Sequence, residues 1–344
     1  MKTKKFISVI FVAALAFVLA ACVYGDSVPT TLNQGATTQR PGDLTRPMPA
    51  SMLISVEELY SLMQQDLPNL VVLGVDLGAD YTTNAITGSY TLTASAFMMT
   101  GGPYAEGSTV LNSRIPLYEM EARLPRAGIT ADSLVVVYTN AAHQGARLVW
   151  ELTVLGIEAL FLDGGMPAWV AAGLPMGNSI AMVTAPITSE FRARNYRQDE
   201  MNLGILDVIH ALQNPDEWIV IDSRTQPEHE GLEARMGRTI TGRIAGSVNI
   251  DWTTATIPGT SNHQVRTEAE IREIFAPALD GRRVILYCHG APRAAHSWML
   301  LRSLGVDAYL FDGSWDAWAY ALDPANNHPL HELVLQHTEA LSYN

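Results

Sequence analysis

The chain has 344 residues, 48% hydrophobic and only 17% charged, which suits two folded domains and excludes a disordered chain. Its formal net charge of −13 becomes −16 without the three lysines among its first five residues, so the balance argues against a nucleic-acid partner. The two cysteines, Cys22 and Cys288, lie in unlike contexts, so the fold must stand on its core without a disulfide framework.

In chain order, a basic start is followed by the apolar run 6–19 and then by Leu19-Ala20-Ala21-Cys22. The basic-then-apolar order is that of an export signal, and the run is short for a spanning helix. The last four residues resemble a bacterial lipobox, in which Cys22 would become the lipid-bearing N-terminus after cleavage, so 1–22 is expected to be a signal peptide. The segment 23–50 is rich in Thr, Gln, Pro and Gly and has no apolar period, as expected of a flexible tether.

The first domain is expected over 51–176. Ser55-Val56-Glu57-Glu58 has the pattern of a capping box opening a helix to about Met63. Further on, 70–75 reads as a buried strand, 117–124 as a helix, 134–138 as a strand, 146–155 as a helix and 159–162 as a strand. The alternation predicts an α/β fold with a mainly parallel sheet. The segment 177–200 reads as a linker, 201–324 as the second domain and 325–344 as a C-terminal tail.

The pattern repeats without a gap. Tyr138 and Tyr287 are separated by the same 149 positions as Trp169 and Trp318, and Leu162-Asp163-Gly164 falls on Phe311-Asp312-Gly313. At that offset Cys288 meets Thr139 and Arg293 meets Gln144, so only the second copy carries a thiol. Val284-Ile285-Leu286-Tyr287 predicts a strand running into Cys288-His289-Gly290-Ala291-Pro292-Arg293, and helical spacing follows. A cysteine there faces the unpaired amides of a helix start, which favour a thiolate, and is a candidate nucleophile.

This loop resembles that of the rhodanese sulfurtransferases, in which Cys opens a six-residue turn and Arg, Thr or Ser closes it. Downstream, Asp312-Gly313-Ser314-Trp315-Asp316-Ala317-Trp318 matches the family's Asp-Gly-Ser/Gly-x-x-x-Trp signature. Phe191-Arg192-Ala193-Arg194-Asn195 resembles the segment leading into the second domain of tandem members, and Gly242-Arg243-Ile244-Ala245-Gly246 resembles a further family segment, with Arg243 in place of the usual His. The resemblance implies two tandem rhodanese-like domains, each a mainly parallel sheet flanked by helices, the first catalytically silent. It implies that Cys288 takes a sulfane sulfur from a small anionic donor, thiosulfate or 3-mercaptopyruvate, and passes it to a thiol or cyanide.

Substrate binding is expected from His289, Gly290, Ala291, Pro292, Arg293 and Arg243, with the amides of His289, Gly290, Ala291 and Arg293 forming an anion nest and Arg293 adding charge. His289 reads equally as a solvent-facing loop residue, and Arg235, Arg238 and Arg243 as a basic cluster or a solvated loop. Asp222 and Arg224 are expected to form a structural ion pair, where the first copy has Gly74-Val75-Asp76. Trp298, Trp315 and Trp318 are expected in the core. No metal site or cofactor is expected. A non-enzymatic sulfur carrier or binding and sensing module is the alternative. Cysteine phosphatases and arsenate reductases are disfavoured, because four residues separate Cys288 from Arg293 where the phosphatase loop has five. The lipobox predicts that Cys22→Ser moves the protein from the membrane fraction to the soluble or secreted one; unchanged fractionation, with no lipid mass on the parent, contradicts it.

Overall fold

The computed structural model describes residues 51–78, 83–100, 111–194, 196–197, 201–234, 239–260 and 264–343, all within one compact unit, Arg46–Asn344. The expected signal peptide, tether and Cys22 lie outside the described residues, as do Asn195, Arg235 and Arg238.

The first half contains strands β1 (Leu53–Ile54), β2 (Leu70–Val75), β3 (Tyr90–Leu92), β4 (Leu134–Thr139), β5 (Glu158–Leu162) and β6 (Ile180–Ala181). They form one sheet in the order β1-β5-β4-β2-β3-β6, every neighbouring pair parallel. Helices α1 (Val56–Met63), α2 (Leu117–Arg123), α3 (Ala142–Val154) and α4 (Gly165–Ala171) flank it. The Ser55 hydroxyl accepts the Glu58 N–H and the Glu58 carboxylate accepts the Ser55 N–H, so the capping box starts α1 as its sequence predicts.

The second half repeats this plan. Strands β7 (Asn202–Leu203), β8 (Trp218–Asp222), β10 (Val248–Asn249), β11 (Arg283–Tyr287) and β12 (Ala308–Phe311) form a parallel sheet ordered β7-β12-β11-β8-β10. Its helices are α5 (Ile205–Gln213), α6 (Gln226–His229), α7 (Glu268–Ile274), α8 (Pro292–Ser303), α9 (Ser314–Leu322) and α10 (His331–Gln336). Strand β9 (Ile240–Ile244) lies outside that sheet and pairs antiparallel with β13 (Thr338–Tyr343). Tandem parallel sheets flanked by helices are the architecture the sequence predicts.

Three boundaries differ from expectation. The segment read as a tail folds into α10 and β13, because β9 presents a free edge that β13 completes. The segment read as a linker contributes β6, which extends the first sheet beyond β3. Helix α3 begins at Ala142, four positions earlier than predicted: Thr139 accepts the Ala141 N–H at 2.8 Å and donates to the Ala141 carbonyl at 3.2 Å, tightening the turn before it. Gln144 therefore sits in the first turn of α3.

Period-two alternation places successive strand residues on opposite faces of each sheet. Leu73, Val75, Val135 and Val137 face one core with Val284 and Leu286 of the other half, whereas Val72, Val136 and Tyr138, and separately Ile285 and Tyr287, face away. The shared core continues through α3 and α8, which occupy equivalent places in the two halves and pack against each other. Gly145 makes one close approach in α3 possible: a Cβ there would stand 2.7 Å from Thr139 Cγ2 and 2.8 Å from Phe161 Cε2. Alanine would gain roughly 1 kcal/mol of helix propensity, but overpacking a rigid core costs about 1–3 kcal/mol. We expect Gly145→Ala to lower the denaturation midpoint without changing the denaturant slope; a raised midpoint would show that the site yields.

Candidate active site

Cys288 follows the last residue of β11 and is 1% exposed. Such a strand end is where parallel α/β sheets hold their reacting groups. Pro292 is the first residue of α8, a position where a missing N–H removes no intrahelical bond. Ala291, the residue before it, has φ +76°, a left-handed conformation that costs a non-glycine residue about 1–2 kcal/mol and must be held by its surroundings.

The start of α9 holds it. Ser314 Oγ accepts the N–H of Cys288 at 3.2 Å and of Ala291 at 3.1 Å, and donates to the Phe311 carbonyl at 2.9 Å. The next two amides, Trp315 and Asp316, donate to the carbonyls of Cys288 and His289 at 3.0 and 2.9 Å. Amides in the first turn of a helix have no intrahelical acceptor, so α9 spends them on the loop. The Ala291 amide, expected in an anion nest, is thus already engaged by Ser314.

Arg293 was expected to direct charge at an anionic donor. The structure instead pairs it bidentately with Glu228, Nη1 to Oε2 at 2.6 Å and Nη2 to Oε1 at 2.9 Å, both side chains buried. Burial raises the Glu228 carboxyl, but the Arg293 hydrogen bonds and charge, helped by Thr225, outweigh it and hold the group at about 2. His289 is also buried, against the solvent-facing reading, and its Nε2 lies 3.3 Å from Asp316 Oδ1. Arg243 turns to Glu339 of β13 at 2.7 Å, so its charge is committed to a strand that the sequence presented as a tail.

Asp222 and Arg224 form the buried pair predicted from sequence: Arg224 Nη2 is 2.7 Å from Asp222 Oδ2 and also donates to the Gly242 carbonyl at 2.8 Å. His229 Nδ1 and the Tyr287 hydroxyl reach the same carboxylate, at 2.9 and 2.8 Å. Burial opposes ionisation of Asp222, yet Arg224 and these hydrogen bonds hold it well below the usual carboxylate range. In the first half Gly74 occupies the equivalent position beside Tyr138, and a Cβ there would lie 2.7 Å from the Tyr138 ring; Tyr138 bonds Ser89 instead. Trp298, Trp315 and Trp318 are fully buried, as predicted.

Two organising residues, Glu228 and Ser314, had no assigned role in the sequence. Glu228 is the carboxylate of a Thr225 capping box, a pattern that signals a helix start and conceals its second bond to Arg293.

Residues 206–321 match the family model described as "Rhodanese-like domain". The "Thiosulfate sulfurtransferase" of Corynebacterium glutamicum is 30% identical over 208 residues, 56% of this chain and 65% of that protein. The chain thus spans just under two thirds of that relative's length. "Sulfur carrier protein TtuD" of Thermus thermophilus is 26% identical over 217 residues, 58% of this chain and 73% of that protein. Among solved structures, the anaerobic ergothioneine biosynthesis enzyme from Chlorobium limicola has a TM-score of 0.66 at 21% identity, covering 80% of this chain and 69% of that one. The crystal structure of YnjE gives 0.66 at 21% identity, with 80% and 67% covered. At these identities the two structures share the fold.

Acid should loosen the site through Glu228. Its carboxyl ionises near 4.5 when free and at about 2 when folded, so the folded state binds fewer protons between those values. The stabilisation is complete above about 5 and is lost as pH falls toward about 2. Glu228→Gln should flatten the stability-against-pH curve in that window while lowering stability at neutral pH; an unchanged acid slope would contradict the pairing.

Proposed function

We propose that this chain is a tandem-domain, rhodanese-like sulfurtransferase whose nucleophile is Cys288, a reading supported by the match of residues 206–321 to the rhodanese-like domain. The observation that carries the reading is the loop after β11: a lone thiol at a strand end, its flanking amides and carbonyls pinned by the start of α9. The equivalent position in the first half is Thr139, which has no sulfur to offer.

The proposed chemistry has two steps. The Cys288 thiolate attacks the outer sulfur of thiosulfate; the sulfur–sulfur bond of the donor breaks and sulfite leaves with its electron pair, giving a Cys288 persulfide anion. Cyanide or a thiolate then attacks the terminal sulfur, and the persulfide bond breaks to return the Cys288 thiolate. Each step exchanges one sulfur between two nucleophiles, so no outside oxidant or reductant enters. With 3-mercaptopyruvate, a carbon–sulfur bond breaks in the first step and pyruvate leaves after protonation. The nearby amides of His289 and Gly290 are the groups we assign to the persulfide charge. A lipid on Cys22 would place this chemistry at the cell envelope, a location that rests on the leader sequence.

A second reading, a carrier that is loaded once and hands sulfur to a partner, draws on two observations. One is the similarity to the Thermus sulfur carrier protein; the other is the bidentate Glu228, which neutralises the Arg293 cation beside the loop. Repeated turnover separates the two. We expect Cys288→Ser to abolish thiosulfate:cyanide transfer, by at least about a thousandfold, while leaving the circular dichroism spectrum unchanged. Parent-rate turnover by that variant would refute the assignment, and a parent that loads once without turning over would favour the carrier.

A further inference from the structure

Two carboxylates 149 residues apart serve as acceptors between the two halves. Asp163 directly follows β5 and Asp312 directly follows β12, and each accepts a backbone N–H from the opposite half: Asp163 from Val265 at 2.8 Å, Asp312 from Arg114 at 3.2 Å. Beyond that shared bond the copies diverge. At Asp312 the guanidinium of Arg147, from α3 of the first half, approaches to 2.5 Å and also bonds Glu151 at 2.8 Å. Arg114 joins the same set through Glu151 at 2.6 Å, so two arginines and two carboxylates form one neutral cluster across the interface. The position equivalent to Arg147 in the other copy is His296, and at Asp163 burial holds the carboxyl above its usual range.

Arg147 is 1% exposed, and its guanidinium spans two carboxylates, one terminal nitrogen facing Asp312 and the other Glu151. Asp312 is two residues before Ser314, whose hydroxyl takes the N–H groups of Cys288 and Ala291. Displacing Asp312 moves Ser314 and, with it, the acceptor that keeps Ala291 at φ +76°. We infer that Arg147 of the first half is a positioning residue for the Cys288 loop of the second, acting through Asp312 and Ser314. The half that lacks a thiol is therefore part of the reacting site. The consequence for turnover rests on the sulfurtransferase reading above, whereas the loop geometry does not.

The test uses hydrogen exchange of the full chain, read on the peptide carrying Cys288 to Ala291, beside thiosulfate:cyanide kinetics. Arg147→Met should speed exchange of the loop amides by roughly tenfold while the strands of both sheets keep parent protection. Arg147→Lys should restore part of that protection. Should Arg147→Met leave Asp312 uncompensated and fail to fold, Arg147→Met/Asp312→Asn keeps the buried set neutral, with Arg114 and Glu151 still paired, and should show the same loop exchange. In the folded variants kcat should fall by about tenfold or more with a smaller change in KM. Uniformly faster exchange throughout the α3–α8 interface, or parent-like loop exchange in a protein of lower Tm, would overturn the inference and make Arg147 structural only. If the loop responds as stated but the parent moves no sulfur, the proposed function falls and the positioning stands.

Discussion

One hydroxyl holds the candidate site in shape. Ser314 Oγ accepts two buried N–H groups, from Cys288 and Ala291, and donates to the Phe311 carbonyl, so its hydrogen-bonding capacity is filled. Without that acceptor, each buried donor would carry a desolvation penalty of about 1–3 kcal/mol, and Ala291 would lose the bond that offsets its left-handed backbone. Glycine is the usual residue at positive φ; here an alanine is held there by a serine from another element. The loop is rigid because two strand ends and two helix starts converge on it.

Three sets of buried charges are each neutral. Asp222 faces Arg224, Glu228 faces Arg293, and Glu151 and Asp312 face Arg114 and Arg147. Buried ion pairs gain little net stability over well-packed apolar groups, but removing one partner is expensive, so such sets restrict geometry more than they add stability. Each set here ties elements far apart in sequence: β8 to the Gly242 segment, α6 to α8, and the first half to the end of β12. In a chain with a large negative surplus, these three sets cancel their own charge, and the backbone groups of the loop add polarity beside the thiol.

The repeat was legible in the sequence because duplication preserves spacing, and spacing survives where side chains change. The 149-residue offset located β4 and β11, α3 and α8, and the position facing Cys288 in the other copy. The Asp222–Arg224 pair was legible because the resemblance to the rhodanese family implied a scaffold role for these residues. The partners of Arg293 and Arg243 were not, since Glu228 was masked by its capping pattern and Glu339 by the plain composition of the C-terminal segment. Arg147 lay in a helix whose periodicity gave no hint of what faced it; contacts between halves depend on docking, which no local pattern encodes.

The central claim is that sulfur rests on Cys288 and nowhere else. Peptide mass spectrometry of the full chain after brief exposure to thiosulfate, under nonreducing conditions, tests it most directly. The account predicts that the peptide carrying Cys288 gains the mass of one sulfur atom, that cyanide removes it, and that the peptide carrying Thr139 is unchanged. An unmodified Cys288 peptide in folded protein, across thiosulfate and 3-mercaptopyruvate alike, would contradict it.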